Sequence, residues 1–162
     1  MALLIQTGNS PASWGQIALP LTIVCSTPEE TFALGKALAG LLEKGSIVAL
    51  KGPLGAGKTC FAKGIANGLD VAEEITSASY TIISEYEAFL CENSICFYHI
   101  DAYRLEGIDD FAGIGGEEII FGNGISVIEW SERIFSIIPD YAFRVDIMLQ
   151  EEEKRMIHIY KG

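Results

Sequence analysis

Apolar residues along the chain alternate between short strand-like runs and stretches with helical spacing. The runs at 21–25, 46–50 and 125–129 are mostly apolar and predict strands, the last two buried within a sheet. Between the first two, residues 27–30 (Thr-Pro-Glu-Glu) have the composition of a helix start with a capping box, and apolar residues then recur at helical spacing up to Gly45. This alternation of strands and helices predicts an α/β protein.

The second half of the chain predicts paired strands and a short helical insert. The expected elements are a hairpin of residues 80–89 and 95–101 turning at 91–94, a glycine-broken insert over 105–122, and a closing hairpin of residues 143–149 and 155–160. Residues 1–20 are weakly patterned and form a loose lead-in. The length is that of a single domain, which we expect to span residues 1–162.

A complete phosphate-binding motif follows the second strand. Residues 52–59 read Gly-Pro-Leu-Gly-Ala-Gly-Lys-Thr and stand between the apolar run and a helix-compatible stretch, residues 58–67. The glycines let backbone N–H groups face a polyphosphate at a helix N-terminus. Lys58 is expected to bridge the β- and γ-phosphates, and Thr59 to ligate Mg²⁺. The predicted fold is therefore a three-layer P-loop NTPase fold around a central mixed, mostly parallel sheet.

Candidate site residues come from this loop and from two strand ends. The candidate ATP-binding residues are Leu54, Gly55, Ala56, Gly57, Lys58 and Thr59. A magnesium ion at such a loop also needs a carboxylate from a neighbouring strand. Asp101 and Glu129 each end a strand-like run, so either could serve the metal or position water, and with Lys58 they are the candidate catalytic residues. His99, two residues before Asp101, is more typical of a packed or surface histidine than of a catalytic one.

The charge balance limits the partners that the chain can bind directly. It has 22 acidic residues against 11 Lys and Arg, a formal net charge of -11. Direct capture of DNA or RNA needs clustered basic residues, so a nucleic-acid role is expected to require a partner protein. The sequence shows neither a signal-peptide pattern nor an apolar run of membrane-spanning length, which predicts a cytoplasmic location.

The four cysteines lack Cys-x-x-Cys spacing and lack a histidine at metal-ligand spacing, which predicts reduced thiols. Cys60 follows Thr59 at the N-terminus of the expected helix. Because the helix dipole favours a thiolate there, we expect a lowered thiol pKa.

Four segments together resemble a known family. They are Gly-x-Leu-Gly-Ala-Gly-Lys-Thr at 52–59, Ser-x-Ser-Tyr-Thr-Ile at 77–82, His-x-Asp-x-Tyr-Arg at 99–104 and Ile-Glu-Trp-Ser-Glu at 128–132. In this order they are similar to bacterial TsaE, the tRNA threonylcarbamoyladenosine biosynthesis ATPase family. The resemblance covers about residues 27–139, which is most of the chain.

The resemblance implies a P-loop ATPase with weak turnover of its own. Such a protein works with the TsaB–TsaD pair to sustain formation of the threonylcarbamoyl group on adenosine 37 (t6A37) of tRNAs that read ANN codons. TsaC supplies the threonylcarbamoyl-adenylate that the pair consumes. By the same resemblance, Lys58 and Thr59 serve phosphate and Mg²⁺, Glu129 is the second magnesium-side residue, and Asp101 takes part in hydrolysis.

The resemblance also implies a switch-like loop near the γ-phosphate, at residues 77–81, with Ser77 and Ser79 as its candidate ligands. The family usually has Ser-Pro-Thr here, whereas this chain has Ala78 in place of the proline. Without proline the loop is expected to be less fixed, because proline restricts the backbone. Further candidates for contacts with the nucleotide or a partner are Arg104, Trp130 and Arg155.

Other classes of P-loop protein fit the residues less well. A small-molecule kinase usually closes an arginine-bearing lid over the transferred phosphate, but the four arginines of this chain do not cluster in an insert. A GTP-dependent switch reads guanine with an Asn-Lys-x-Asp string, which the sequence lacks. A nucleotide-gated assembly factor that binds ATP without depending on hydrolysis would use the same residues, and this alternative stays open.

Overall fold

The computed structural model describes residues 5–6, 17–76 and 80–162. Its strands are β1 (Ile5–Gln6), β2 (Leu21–Cys25), β3 (Ile47–Lys51), β4 (Ile83–Leu90), β5 (Asn93–Asp101), β6 (Ile125–Glu129), β7 (Phe143–Leu149) and β8 (Arg155–Lys161). Its α-helices are α1 (Pro28–Ala39), α2 (Lys58–Gly68), α3 (Ile108–Gly113) and α4 (Gly116–Ile120), and its 3₁₀ segments are Ala102–Arg104, Ser131–Ile137 and Glu151–Glu153. Within the described residues the strands form one eight-stranded sheet in the order β1-β2-β8-β7-β3-β6-β5-β4.

The centre of this sheet is parallel. Strand β3 pairs in parallel with β6 and β7, and β6 pairs in parallel with β5. Antiparallel pairs flank them, β4 with β5 on one side and β8 with β7 and β2 on the other. The register sets Leu50 beside Glu129 and Glu129 beside Asp101. Both candidate carboxylates therefore lie at the carboxyl edge of the sheet, where the loop after β3 begins.

Helices cover the sheet on both faces. On one face, Leu34 and Leu38 of α1 and Phe61 and Ile65 of α2 belong to a core with buried residues of the central strands. On the other face, α3, α4 and residues 131–137 cover the sheet, with a second buried core of Phe111, Ile120, Ile134, Ile47, Ala49, Ile100 and Ile128. The structure confirms the three-layer prediction. No helix in the described part of the chain has the length and apolarity needed to cross a membrane.

Helix α1 begins where the sequence predicts but ends earlier. The Thr27 hydroxyl accepts a hydrogen bond from the Glu30 N–H at 3.2 Å, as an N-cap does. The Glu30 carboxylate accepts from the N–H of Ser26 at 2.6 Å rather than from that of Thr27, so the expected capping box is displaced by one residue. The helix ends at Ala39 instead of continuing to Gly45, because the chain tightens there into single turns that lead back toward β3.

The β4–β5 hairpin turns more tightly than expected. Leu90 pairs directly with Asn93, so the turn consists of Cys91 and Glu92 instead of four residues. Both turn residues have positive φ, 49° and 65°. Positive φ at both positions gives a two-residue turn whose twist matches that of the flanking strands, and here it forms with Cys and Glu in place of the more usual Asn or Gly.

Candidate nucleotide-binding site

The phosphate-binding loop joins β3 to α2 at the carboxyl edge of the sheet. Gly55 and Gly57 have φ values of 76° and 101°, in the left-handed region that favours glycine. Helix α2 begins at Lys58, and no side chain caps its N-terminus. Its first N–H groups can therefore bind an anion.

A cavity of about 420 Å³ lies beside this loop. Ligand-binding cavities of proteins commonly measure about 300–1,000 Å³. Its wall includes five of the six candidate ATP-binding residues, with Asp101, Glu129, Arg104 and Trp130. The sixth, Ala56, is fully buried and does not line the cavity. The structure therefore brings most of the predicted site residues together around one cavity.

The Lys58 side chain is folded back onto its own loop. Its Nζ donates hydrogen bonds to the carbonyl oxygens of Gly52 at 2.7 Å and Pro53 at 2.8 Å, and lies 3.8 Å from the centre of the Trp130 ring. Burial lowers the pKa of Lys58, while the negative charges of Glu129, Glu132 and Asp101 act in the opposite direction. A polyphosphate bound in the cavity would add negative charge beside Lys58 and so favour its charged form.

Glu129 connects the loop to the neighbouring strands through two hydrogen bonds. The Thr59 hydroxyl donates to its Oε2 at 3.0 Å. Its Oε1 lies 2.7 Å from Nε2 of His99 on β5. The carboxylate is almost wholly buried, with 3 % of the residue exposed, so these two donors supply the polar contacts that a buried charge requires.

Asp101 stands beside Glu129 but has different surroundings. It is half-buried on the cavity wall, and its Oδ1 accepts a hydrogen bond from the Tyr103 N–H at 3.1 Å. This bond caps the 3₁₀ segment Ala102–Arg104. The two carboxylates, which their strand positions alone do not distinguish, thus have different contacts: in the described structure Glu129 accepts the hydrogen bond from Thr59, whereas Asp101 accepts one from the Tyr103 N–H.

Trp130 and Arg104 lie at the mouth of the cavity. Trp130 has φ 55° and ψ 40°, a left-handed backbone that is strained for a bulky side chain. Its ring stands 4.9 Å from that of Tyr103, centre to centre. The Arg104 guanidinium lies 5.5 Å from the ring centre of Tyr80, which is 90 % exposed. The open side of the cavity is therefore bordered by aromatic side chains.

Arg155 supports the loop from behind rather than lining the cavity. Its Nε donates to the Ala56 carbonyl oxygen at 2.9 Å, and its Nη1 to that of Glu153 at 2.9 Å. Strand β8 is thereby tied to the phosphate-binding loop. The sequence prediction that Arg155 contacts the nucleotide or a partner is not tested by these contacts.

The Cys60 thiol does not have the environment that the sequence predicts. It is half-buried on the cavity wall and donates to the Pro28 carbonyl oxygen at 3.2 Å. Burial raises the pKa of Cys60, so the expected lowering by the helix dipole is wrong. Loss of hydration is the largest cause, ahead of the positive charges of Arg155 and Lys63, which lower the pKa.

The oxygen atoms at the loop suit Mg²⁺. The Thr59 hydroxyl and the Glu129 carboxylate are hard oxygen donors, and they lie 3.0 Å apart. Among residues 17–76 and 80–162, no cluster of three or more His, Cys, Asp or Glu could hold a metal by itself. Magnesium usually completes its ligands with water and substrate phosphates, so this sparse set fits it. The candidate switch residues Ser77 and Ser79 lie outside the described residues.

Comparison with known proteins decides the family. The family model described as "Threonylcarbamoyl adenosine biosynthesis protein TsaE" matches residues 25–157. The chain belongs to the TsaE family. Family membership assigns it to the biosynthesis of threonylcarbamoyladenosine in tRNA, and confirms the resemblance predicted from the four sequence segments.

Individual TsaE proteins are similar over most of their length. The tRNA threonylcarbamoyladenosine biosynthesis protein TsaE of Treponema pallidum is 40 % identical over 136 residues, which cover 84 % of this chain and 97 % of that protein. The Bacillus subtilis TsaE protein is 35 % identical over 130 residues, 80 % of this chain and 78 % of that one. The crystal structure of Bacillus subtilis YdiB matches with a TM-score of 0.69 and 32 % identity, over 91 % of this chain and 89 % of that one. The sequence comparisons and the structural comparison thus support the same family and fold.

Three residues at or beside the cavity have no individual role predicted from the sequence. Tyr80 and Tyr103 line the cavity, and His99 lies behind it in contact with Glu129. The signal for His99 is its separation of two residues from Asp101, because residues i and i+2 of a strand share a face. That signal becomes specific only when the register between β5 and β6 is known.

Proposed function

We propose that this TsaE protein binds ATP with Mg²⁺ in the cavity beside residues 52–59 and hydrolyses it slowly by itself. The observation that carries the proposal is the hydrogen bond from Thr59 to Glu129, with Asp101 on the next strand. A P-loop hydroxyl and a strand-end carboxylate are the two protein groups that hold magnesium in P-loop NTPases. Here they are already in contact.

Each residue then has a distinct role. Backbone N–H groups of the loop and the Lys58 ammonium bind the phosphates, with Lys58 exchanging the Gly52 and Pro53 carbonyl oxygens for phosphate oxygens. Thr59 and Glu129 would hold Mg²⁺, which neutralises phosphate charge when bound. Asp101, on the cavity wall, orients the attacking water.

We further propose that hydrolysis serves the formation of t6A37 in tRNAs that read ANN codons, together with the TsaB–TsaD pair and downstream of TsaC. Two exposed apolar side chains at the cavity, Leu54 at 80 % and Tyr80 at 90 %, support a protein contact close to the phosphates. A partner bound there would exclude water and complete the site around Asp101. On this proposal the isolated protein turns ATP over slowly, because its site is incomplete without the partner.

The test is phosphate release from ATP by the purified protein, alone and with a purified TsaB–TsaD pair. Turnover should rise at least several-fold with the pair. Trp130→Ala should reduce that rise more than it weakens ATP binding, because the ring lies at the cavity mouth and packs on Tyr103. Turnover that is indifferent to the pair would contradict the partner role, and faster transfer of phosphate to a small acceptor than to water would indicate a kinase.

A further inference from the structure

The histidine behind Glu129 has no role in the proposed chemistry, yet it makes the shorter of that carboxylate's two hydrogen bonds. Nε2 of His99 lies 2.7 Å from Oε1 of Glu129, and the two side chains are 1 % and 4 % exposed. The other carboxylate oxygen accepts from Thr59 at 3.0 Å. His99, Glu129 and Thr59 thus form a continuous chain of hydrogen bonds from β5 through β6 to α2.

We propose that His99 is a positioning residue, which holds Glu129 in the orientation that presents Oε2 to Thr59 and to Mg²⁺. The inference rests on the proposed nucleotide site. A glutamate side chain has three rotatable bonds, and one hydrogen bond at the site-facing oxygen does not fix them. The bond to Oε1 fixes the carboxylate from the opposite side. Groups that orient a metal ligand in this way typically change metal affinity by about 10–100-fold.

The remaining contacts of His99 favour positioning over simple satisfaction of a buried side chain. A carboxylate accepts hydrogen bonds, so Nε2 carries the proton in this contact. Nδ1 is buried and has no hydrogen-bond partner within the described residues. Among the described residues, the ring therefore makes one hydrogen bond, and its partner is Glu129. If packing were its purpose, an apolar side chain would fill the place without leaving a ring nitrogen unpaired.

The test measures how nucleotide binding depends on Mg²⁺ in three variants. His99→Leu removes the donor, and His99→Gln replaces it with an amide N–H of similar reach. His158→Leu is the control, because the chain has only this other histidine, and it bonds to Thr22 on β2. A fluorescent ADP analogue is titrated first in EDTA and then with increasing Mg²⁺, and a melting curve checks the fold of each variant.

His99→Leu should raise the Mg²⁺ concentration that gives half of the maximal increase in ADP-analogue binding by about tenfold or more. Its affinity for the analogue in EDTA should stay within about twofold of wild type. His99→Gln should restore most of the loss, and His158→Leu should match wild type. An unchanged Mg²⁺ half-point in folded His99→Leu would overturn the proposal, as would His99→Gln behaving as poorly as His99→Leu. If His99→Leu does not fold, His99→Asn replaces it, because its shorter amide does not reach Oε1. A wild-type protein that binds no ADP would instead refute the nucleotide site itself.

Discussion

Lys58 and Glu129 are both almost wholly buried, 5 % and 3 % exposed, and neither forms a salt bridge with an Arg, Lys, Asp or Glu of the described residues. Two backbone carbonyls accept from the ammonium, while a hydroxyl and an imidazole contact the carboxylate. A buried charge is costly unless it is paired and hydrogen-bonded. A polyphosphate and a cation would each supply the missing opposite charge, so the site gains free energy on binding both together.

Glu129 and Asp101 should respond differently to loss of charge. Glu129→Gln should raise the Mg²⁺ concentration needed for ATP turnover, because Glu129 contacts the Thr59 hydroxyl, the other proposed magnesium ligand. Asp101→Asn should slow turnover by about 100-fold or more, the usual contribution of a general base, while nucleotide affinity is largely kept. Turnover and affinity are measured across a magnesium series for both variants. Identical magnesium profiles would contradict this division of roles.

The alkylation rate of Cys60 should show whether the cavity is occupied, because Cys60 lies on its wall. Burial raises the pKa of its thiol, so little thiolate forms at neutral pH, and the alkylation rate should still be rising with pH at the ordinary value of 9.0 instead of levelling off there. Iodoacetamide should modify exposed Cys91 faster, and bound Mg·ADP should slow Cys60 several-fold while leaving Cys91 unchanged. Peptide mass spectrometry measures both sites in one sample. Equal rates at Cys60 with and without nucleotide would place the nucleotide elsewhere.

The residues that could be predicted from sequence are those whose chemistry is fixed by local spacing. Lys58 and Thr59 belong to one contiguous motif, and Asp101 and Glu129 each end an apolar run. Contacts between distant segments could not be predicted in the same way. The bond from His99 to Glu129 depends on strand register, and the Cys60 pKa depends on burial by α1.

Helices α1 and α2 pack so closely that glycine is required between them. A Cβ at Gly64 would collide with the carbonyl oxygen of Phe32, and one at Gly35 with that of Phe61. These are backbone atoms of the facing helix, which cannot move aside as a flexible side chain can. The close approach sets α2, and with it Lys58 and Thr59, at a fixed height above the sheet.

Gly64→Ala should therefore lower the free energy of unfolding. Overpacking costs about 1–3 kcal/mol, which exceeds the gain of about 1 kcal/mol from replacing a helical glycine. Gly113→Ala in α3 is the matched control, because a Cβ there meets no atom within 4 Å. Urea unfolding of both variants measures the difference. Gly64→Ala as stable as Gly113→Ala would show that α1 and α2 can separate at little cost.

Element types were predictable from the sequence, but some element ends were not. The apolar runs identified β2, β3 and β6, whereas α1 was predicted too long and the β4–β5 turn too wide. Helical spacing continues through Leu41 and Leu42 as single turns after α1 has ended, so the pattern alone could not place its last residue. The backbone at Cys91 and Glu92, with positive φ at both, is likewise invisible in the side-chain pattern.

The net charge of the whole molecule disfavours direct binding of RNA. With a formal net charge of -11, the chain has few cations to replace the counterions of a tRNA backbone. Two of its cations, Lys58 and Arg155, donate hydrogen bonds to carbonyl oxygens of the phosphate-binding loop. A role in tRNA modification is therefore expected to pass through protein contacts.

The isolated protein should not retard tRNA in a gel at physiological salt. Adding the TsaB–TsaD pair should be necessary before the protein migrates with tRNA. The mobility of labelled tRNA is followed with the protein alone, the pair alone and the mixture. Tight binding by the isolated chain, weakening steeply with salt, would contradict the prediction.

Calorimetric titration of Mg·ATP into wild type and Lys58→Met measures whether residues 52–59 bind ATP through Lys58. Lys63→Met on the same helix is the control, because Lys63 pairs with Glu74 outside the cavity. We predict one site in wild type and Lys63→Met, and an affinity at least about tenfold lower in Lys58→Met, because a charged hydrogen bond contributes about 1.5–3 kcal/mol. Equal affinity in all three folded proteins, or no binding by wild type, would contradict ATP binding through Lys58.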